Sequence, residues 1–98
     1  MNVSINAVKF KADKKLEDFI QDKVGKLSGV YDGIIGSEVV LKIDNVAPPE
    51  NKTAEIRLLI KGNDLFASKQ SKSFEEATDS AIGALRKQLD RHKGRFQK

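Results

Sequence analysis

The feature that most constrains the fold is a switch in the spacing of apolar residues along the chain. In three successive segments between Ile34 and Ser73, apolar and polar residues alternate with a period of two, which is typical of strands that bury one face. A shorter alternating segment runs from Val3 to Ala7. One segment with helical spacing lies between these two regions, and another follows them. The pattern therefore predicts the order β-α-β-β-β-α.

The first predicted helix has one apolar face and a recognisable signal at each end. Apolar residues lie three and four apart from Leu16 to Leu27, with Lys23 as the one polar member of the row. Asp13 precedes the first turn as the expected N-cap, and Gly29 follows the last turn as the expected stop. These signals predict an amphipathic helix of about four turns.

The last predicted helix runs from Ser73 to about Lys93. Ser73 is the expected N-cap, and Glu76, three residues later, should complete a capping box. The apolar residues of this helix form one stripe, namely Phe74, Ala77, Ala81, Leu85 and Leu89, bordered by Thr78 and Ile82. A stripe of this width predicts a helix that buries one side and exposes the other to solvent.

Elements that each have a single apolar face pack most economically in two layers. The three consecutive strands should form an antiparallel meander, with a tight turn at residues 62–64 between the last two. We therefore predict an α+β fold, a β-α-β-β-β-α two-layer sandwich in which both helices pack on one face of a four-stranded sheet. The length of the chain predicts one domain, residues 1–98.

The sequence lacks the residues on which many catalytic and metal sites depend. It has no cysteine and a single histidine, His92, so a thiol nucleophile is excluded and a histidine-based site is hard to build. The glycines form no phosphate-binding loop. We expect no catalytic residue, no metal, no cofactor and no small-molecule substrate. With no apolar run of membrane-spanning length and no signal peptide, a cytoplasmic protein without a membrane partner is expected.

The end of the chain carries an excess of positive charge. Residues 86–98 hold one acid, Asp90, and six cations, which are Arg86, Lys87, Arg91, Lys93, Arg95 and Lys98. The helix dipole stabilises cations only in the last turn, so it does not account for Arg86 and Lys87. Lys87, Arg91 and Arg95 follow one another at intervals of four residues along one flank of the apolar stripe, and like charges at that spacing repel. Arg86 and Lys93 lie on the other flank. Nucleic-acid phosphates would turn this repulsion into binding; a merely solubilising face is the alternative.

Two further features bear on this interpretation. Lys23 and Lys26 lie near the end of the first helix, where the helix dipole explains them equally well. If the two helices pack side by side, these lysines would extend the basic strip. His92 follows the apolar stripe by one turn, so it is either a packing histidine or a contact to phosphate or base.

A second class of function is a protein–protein interaction module. Such a module would use the exposed face or edge of the sheet, and its basic helix would serve only solubility. Val40 and Leu59, which are predicted to point away from the helices, favour this alternative.

The chain also resembles a known family. The matching stretches are DKVGKLSGVYDGIIGSEVVLKI and DLFASKQSKSFEEATDSAIGALRKQLDRHKGR. Within them, the resemblance is carried by the end of the first helix at residues 23–27, the Tyr31-Asp32 turn, the apolar face of the last helix, and KQLDRHK at residues 87–93. Together with the element order, these make the chain similar to the short form of the ribosome hibernation-promoting factor and ribosome-associated inhibitor (ribosomal subunit interface protein) family.

The resemblance implies a fold similar to double-stranded-RNA-binding domains, with two parallel helices on one face of the sheet. It implies a factor that binds the 30S subunit in the mRNA and tRNA channel, contacts 16S rRNA, and inhibits translation in stationary phase or stress. The RNA-binding residues carried over are Lys23, Lys26, Arg86, Lys87, Arg91, His92 and Lys93. Long-form relatives pair two ribosomes through a further C-terminal domain. The match covers only the short form, so inhibition by occupancy is the expectation, and a separate ribosome-dimerising factor is a further candidate partner.

Overall fold

The computed structural model of the chain describes the backbone of residues 1–96 and the side chains of residues 1–93. The elements follow the predicted order. They are β1 (Asn2–Ala7), α1 (Lys14–Gly25), β2 (Ile34–Ile43), β3 (Lys52–Ile60), β4 (Leu65–Ser71) and α2 (Phe74–Phe96), with a short 3₁₀ helix (Lys26–Gly29) after α1. Over the described part of the chain, no helix combines the length and the apolar character that crossing a bilayer requires.

The four strands form one mixed sheet in the order β1-β2-β3-β4. β1 pairs in parallel with β2, so α1 is the crossover connection that parallel neighbours need. β2, β3 and β4 form the predicted antiparallel meander. Gly62 turns the chain between β3 and β4 with φ of 87°, a backbone conformation that glycine adopts without steric cost.

One face of the sheet is buried beneath both helices. α1 packs against β1 and α2, whereas α2 packs against β3 and β4. The core side chains come from alternate strand positions and from the two helical stripes. Those with no exposed surface are Ile20, Val24, Leu41, Ala54, Ile56, Leu58, Ala77, Ala81, Leu85 and Leu89. The predicted two-layer α+β architecture, with both helices on one face, is confirmed.

β2 departs from regular alternation at both of its ends. A register shift at its start turns Ile34 into the core and leaves Ile35 64% exposed, because a bulge sets an extra residue against the neighbouring strand. Ile43 was predicted to share the buried face of Leu41 but is 52% exposed. Pairing with β1 stops at Leu41, so the inner face at Ile43 has no neighbouring strand on that side.

The start of α1 is as predicted, and its end is tighter than predicted. The Asp13 carboxylate accepts a hydrogen bond from the Leu16 amide at 2.8 Å, which confirms Asp13 as the N-cap. The regular helix ends at Gly25, and the chain continues as one 3₁₀ turn to Gly29. This tightening of a last turn is common where the final carbonyls need partners.

The start of α2 shows half of the predicted capping box. The Glu76 amide donates to the Ser73 hydroxyl at 3.1 Å, so Ser73 is the N-cap. The Glu76 carboxylate instead accepts from the Ser71 hydroxyl at 3.0 Å, which ties the first turn of α2 to the end of β4. The side chain of Glu76 therefore anchors the helix to the sheet.

Aromatic contacts at both ends show that α1 and α2 run parallel. Phe10, just before α1, stacks on Phe74 at the start of α2, with ring centroids 5.0 Å apart. Tyr31, after the 3₁₀ turn, meets His92 near the end of α2 with perpendicular rings 5.1 Å apart. The C-terminal ends of the helices therefore lie at the same end of the molecule, where the predicted basic residues are found.

Candidate nucleic-acid interface

A cleft between α1 and α2 gathers cations from both helices. Lys23 and Lys26 line it from the first helix and its 3₁₀ extension, and Arg86 lines it from α2. The cleft has a volume of about 350 Å³ and contains one acid, Asp79. Side-by-side packing of the helices therefore brings Lys23 and Lys26 to the flank of α2 that carries Arg86, and their role in binding stays a prediction.

The two lysines of the cleft differ in their surroundings. The Lys23 ammonium lies 5.6 Å from the centroid of the Phe19 ring, a cation–π distance that holds the half-buried side chain along the helix. The Lys26 ammonium lies 3.4 Å from the Asp22 carboxylate, with both side chains largely exposed. An ion pair this exposed contributes little to stability. The Lys26 ammonium can therefore readily leave Asp22 for another anion.

A separate groove lies on the opposite flank of α2, against β4. Lys87 and Arg91 line it from the helix, and Lys69 lines it from the strand. The Gln88 side-chain amide donates to the Phe66 carbonyl at 2.9 Å, and this bond fixes the helix to the edge strand. The structure therefore places Lys87 and Arg91 on one flank of α2 and Arg86 on the other, as the helical spacing predicts.

His92 is buried rather than half-buried. Its side chain is 7% exposed, and its Nε2 lies 3.2 Å from the Tyr31 hydroxyl. Of the two roles that the sequence left open, this geometry favours packing between α2 and the chain that follows α1. Lys93 is half-buried one residue later. The predicted cations Arg95 and Lys98 lie outside the residues whose side chains are described.

Ion pairing differs between the two faces of the protein. Within residues 1–93, the ion pairs are Lys14–Asp18, Lys26–Asp22, Lys42–Glu55, Arg57–Glu38 and Arg57–Asp64. In that same range, no carboxylate lies at ion-pair distance from Arg86, Lys87 or Arg91. The charges of the outer sheet face are thus largely neutralised locally, whereas those of α2 are available to an external anion.

The outer sheet face shows this neutralisation most directly. The Lys42 ammonium lies 2.9 Å from the Glu55 carboxylate, and this hydrogen bond, with its Coulomb attraction, raises the pKa of Lys42 above its ordinary value. Arg57 lies over the Phe66 ring at 5.2 Å. Val40 and Leu59 are half-buried among these groups. The protein–protein alternative based on this face stays a prediction.

Sequence reasoning missed Lys69. It pairs with Ala54 in the register of β3 and β4, so it occupies the helix-facing side of the edge strand together with Leu65 and Ala67. Its side chain is exposed because it opens into the groove beside α2. The alternation of the LFASK segment was the available signal, since it places a lysine in line with two core residues.

Within residues 1–93, no three potential ligand side chains come together in a way that would hold a metal ion. The polar lining of the described cavities that border α2 consists mainly of cations, amides and a hydroxyl, with Asp79 as the one acid. An arrangement of this kind can bind an extended polyanion by charge and hydrogen bonding.

Comparison with known proteins agrees with this picture. Residues 3–97 match a family model described as Sigma 54 modulation protein / S30EA ribosomal protein. The chain is 28% identical over 97 residues to the ribosome hibernation promoting factor of Escherichia coli (strain K12), covering 99% of this chain and 98% of that protein. It is 24% identical over 97 residues to the protein of the same name from Pseudomonas putida (strain KT2440), covering 99% and 91%.

Two solved structures share the fold. The N-terminal domain of Protein Y from Thermus thermophilus superposes with a TM-score of 0.79 at 22% identity, covering 94% of this chain and 99% of that one. A ribosomal subunit interface protein from Coxiella burnetii superposes with a TM-score of 0.83 at 15% identity, covering 96% and 99%. At these identities the likeness establishes the arrangement of strands and helices alone.

Proposed function

The chain belongs to the Sigma 54 modulation protein / S30EA ribosomal protein family, and we propose that it is a hibernation factor that binds the small ribosomal subunit. Membership confirms the predicted resemblance and places the chain among ribosome hibernation factors, which are binding proteins and not enzymes. The finer proposal is that it occupies the mRNA and tRNA channel of the 30S subunit, contacts 16S rRNA, and inhibits translation in stationary phase or stress. Its location would be the cytoplasm.

The observation that carries the proposal is the set of uncompensated cations around α2. Arg86, Lys87 and Arg91 are exposed and lack carboxylate partners within the described residues, although the same chain pairs its charges on the outer sheet face. A ligand rich in phosphate supplies the missing counter-charge and releases condensed counterions as it binds. Ribosomal RNA is the polyanion that a protein of this family would meet.

Helices suit this ligand because folded RNA is recognised chiefly through shape and through contacts to phosphate and 2′-hydroxyl groups. The predicted contact residues are Lys23, Lys26, Arg86, Lys87, Arg91, His92 and Lys93. His92 would act in this set mainly by fixing the end of α2 through Tyr31, since its own side chain is buried. A factor seated in this way inhibits translation by occupying space that messenger and transfer RNA need.

The test is binding to purified 30S subunits over a series of salt concentrations. If about six phosphates are neutralised, the logarithm of the binding constant should fall with the logarithm of salt at a slope near −4 to −5. Arg91→Glu should weaken binding strongly without changing the melting temperature, because the Arg91 side chain is exposed.

A matched control is Lys72→Glu. Lys72 is an exposed lysine two residues before α2, and about 18 Å of helix separates the first residue of α2, Phe74, from Arg86. This variant should bind nearly as the wild type does. Binding that ignores both salt and Arg91→Glu would refute the RNA proposal and favour the module that uses the sheet face. Inhibition of a cell-free translation reaction by wild type, relieved in Arg91→Glu, tests the functional consequence.

Participation of a separate ribosome-dimerising factor stays a prediction of the sequence resemblance. Sedimentation of ribosomes with this protein alone, and then with such a factor added, distinguishes monomeric from paired particles. Paired ribosomes formed with this chain alone would show that no separate dimerising factor is required.

A further inference from the structure

We propose that the groove between α2 and β4 is a second phosphate-binding track, so that α2 lies with one RNA backbone segment on each flank. This inference rests on the proposed function. It adds a binding surface and one new contact residue, Lys69, and it assigns each flank of α2 its own backbone segment.

The first support is the composition of the groove. It is lined by Lys69, Ser80, Gly83, Ala84, Lys87, Gln88 and Arg91. Three of these are cations, two offer neutral hydrogen-bond donors, and none is an acid. The cleft on the other flank holds Asp79 beside its three cations, so the groove is the more strongly cationic of the two.

The second support is the position of the cations. Lys87 and Arg91 are four residues apart on one helix face, a rise of about 6 Å that is close to the separation of adjacent phosphates on one strand. Lys69 faces them from β4 across the groove. Phosphates lying along the groove would therefore be contacted from both walls, which fixes the path of the backbone as well as its charge.

The third support is Gly83, which lines both cavities and is exposed. A Cβ atom at this position would meet nothing within 4 Å, so the packing of the protein does not require a glycine there. Glycine inside a helix is unfavourable relative to alanine. Because Gly83 has no side chain, RNA could approach the helix backbone closely between the two tracks. Close approach of RNA would account for a glycine that internal packing does not require.

The groove fits RNA better than an acidic peptide. It is open, with cations at successive helical turns, and Ala84, its apolar lining side chain, is too small to anchor a docked peptide. A volume of about 750 Å³ accommodates an extended backbone along the length of the helix.

The experiment measures 30S binding of Lys69→Gln over a salt series, with Lys72→Gln as the matched control. Both variants remove one exposed lysine, and Lys72 lines neither described cavity. We expect Lys69→Gln to weaken binding about 3- to 10-fold near 0.1 M salt and to make the log–log slope shallower by about 0.7 to 0.9. Lys69→Arg should restore most of the loss, because it restores the charge.

Gly83→Gln tests, in the same assay, whether RNA approaches the helix backbone at Gly83. The added side chain suits a helix better than glycine does, so the melting temperature should stay unchanged or rise while 30S binding weakens. Arg86→Gln, on the cleft side, should lower the salt slope by a similar amount, and its effect should add to that of Lys69→Gln, because the two contact different phosphates.

The outcomes separate the proposals. If wild type does not bind 30S subunits, the proposed function and this inference both fail. If wild type binds but Lys69→Gln matches Lys72→Gln in affinity and slope, the groove proposal alone is overturned. A loss for Lys69→Gln on intact 30S subunits with no loss on protein-free 16S rRNA would assign the groove to an acidic ribosomal protein, and would also overturn it.

Discussion

Replacing Gly83 with alanine should stabilise the free protein. The residue lies inside α2, its backbone φ is not positive, and an added Cβ would meet nothing within 4 Å beyond its chain neighbours and the backbone of its own helix. Alanine removes conformational freedom from the unfolded chain and adds no clash to the folded one. The expected gain in the free energy of unfolding is about 0.5 to 1 kcal/mol. For a domain of this size, that gain raises the melting temperature by about 2 to 8 °C.

Gly62→Ala is the matched control, because an added Cβ at Gly62 also meets nothing within 4 Å. The two sites differ in backbone conformation, since Gly62 has φ of 87°. Alanine in that region is strained by about 1 to 2 kcal/mol, so Gly62→Ala should lower the melting temperature. Thermal and urea unfolding of both variants beside wild type provide the measurement. A loss of stability in Gly83→Ala would refute the reasoning that internal packing does not require a glycine at this position. Changes in the free energy of unfolding that have the same sign in both variants would also refute it.

Two further predictions concern the core and the outer sheet face. Leu85→Ala should lower the free energy of unfolding by about 2 to 5 kcal/mol, because the Leu85 side chain has no exposed surface; a urea midpoint equal to that of wild type would contradict its place in the core. In Glu55→Gln, the pKa of Lys42 should fall back toward its ordinary value of 10.5, as followed by NMR titration. Because the folded-state pKa of Lys42 is raised, the pair stabilises the fold below about pH 10.5 and loses that effect as the pH rises through the folded-state pKa. An unchanged Lys42 pKa in the variant would show that Glu55 is not its cause.

The fold could be predicted from the sequence because local signals and burial agree at nearly every element. The alternation of β3 places Ile56 and Leu58 in the core, and the spacing of α2 does the same for Leu85 and Leu89. Asp13 and Ser73 mark helix starts by a mechanism that acts over three residues, so no tertiary information is needed to find them. Features that depend only on residues close together in the sequence can be predicted without the structure.

The features that could not be predicted depend on contacts between distant segments. The bulge that turns Ile34 inward depends on pairing with β3, and the exposure of Ile43 depends on where β1 ends. The burial of His92 requires Tyr31, which lies 61 residues earlier in the chain. For the candidate site, helical spacing alone supplied the cations and their division between the two flanks of α2. It did not supply Lys69, because that contact depends on which strand lies beside the helix.

The contrast between the two faces bears on why the charges of α2 persist without partners. Like charges four residues apart destabilise a helix by only a few tenths of a kcal/mol, and salt at physiological strength screens exposed charges beyond about 8 Å. The free protein therefore loses little by leaving Lys87 and Arg91 unpaired. A carboxylate placed between them would have to be displaced, or would repel phosphate, each time RNA bound. On the outer sheet face no such conflict is expected, and there Lys42 and Arg57 are paired with acids. In the proposed complex, a small loss of stability in the free protein would thus preserve the full attraction to phosphate, and the same reasoning would apply to the helix-interior Gly83 between the two proposed tracks.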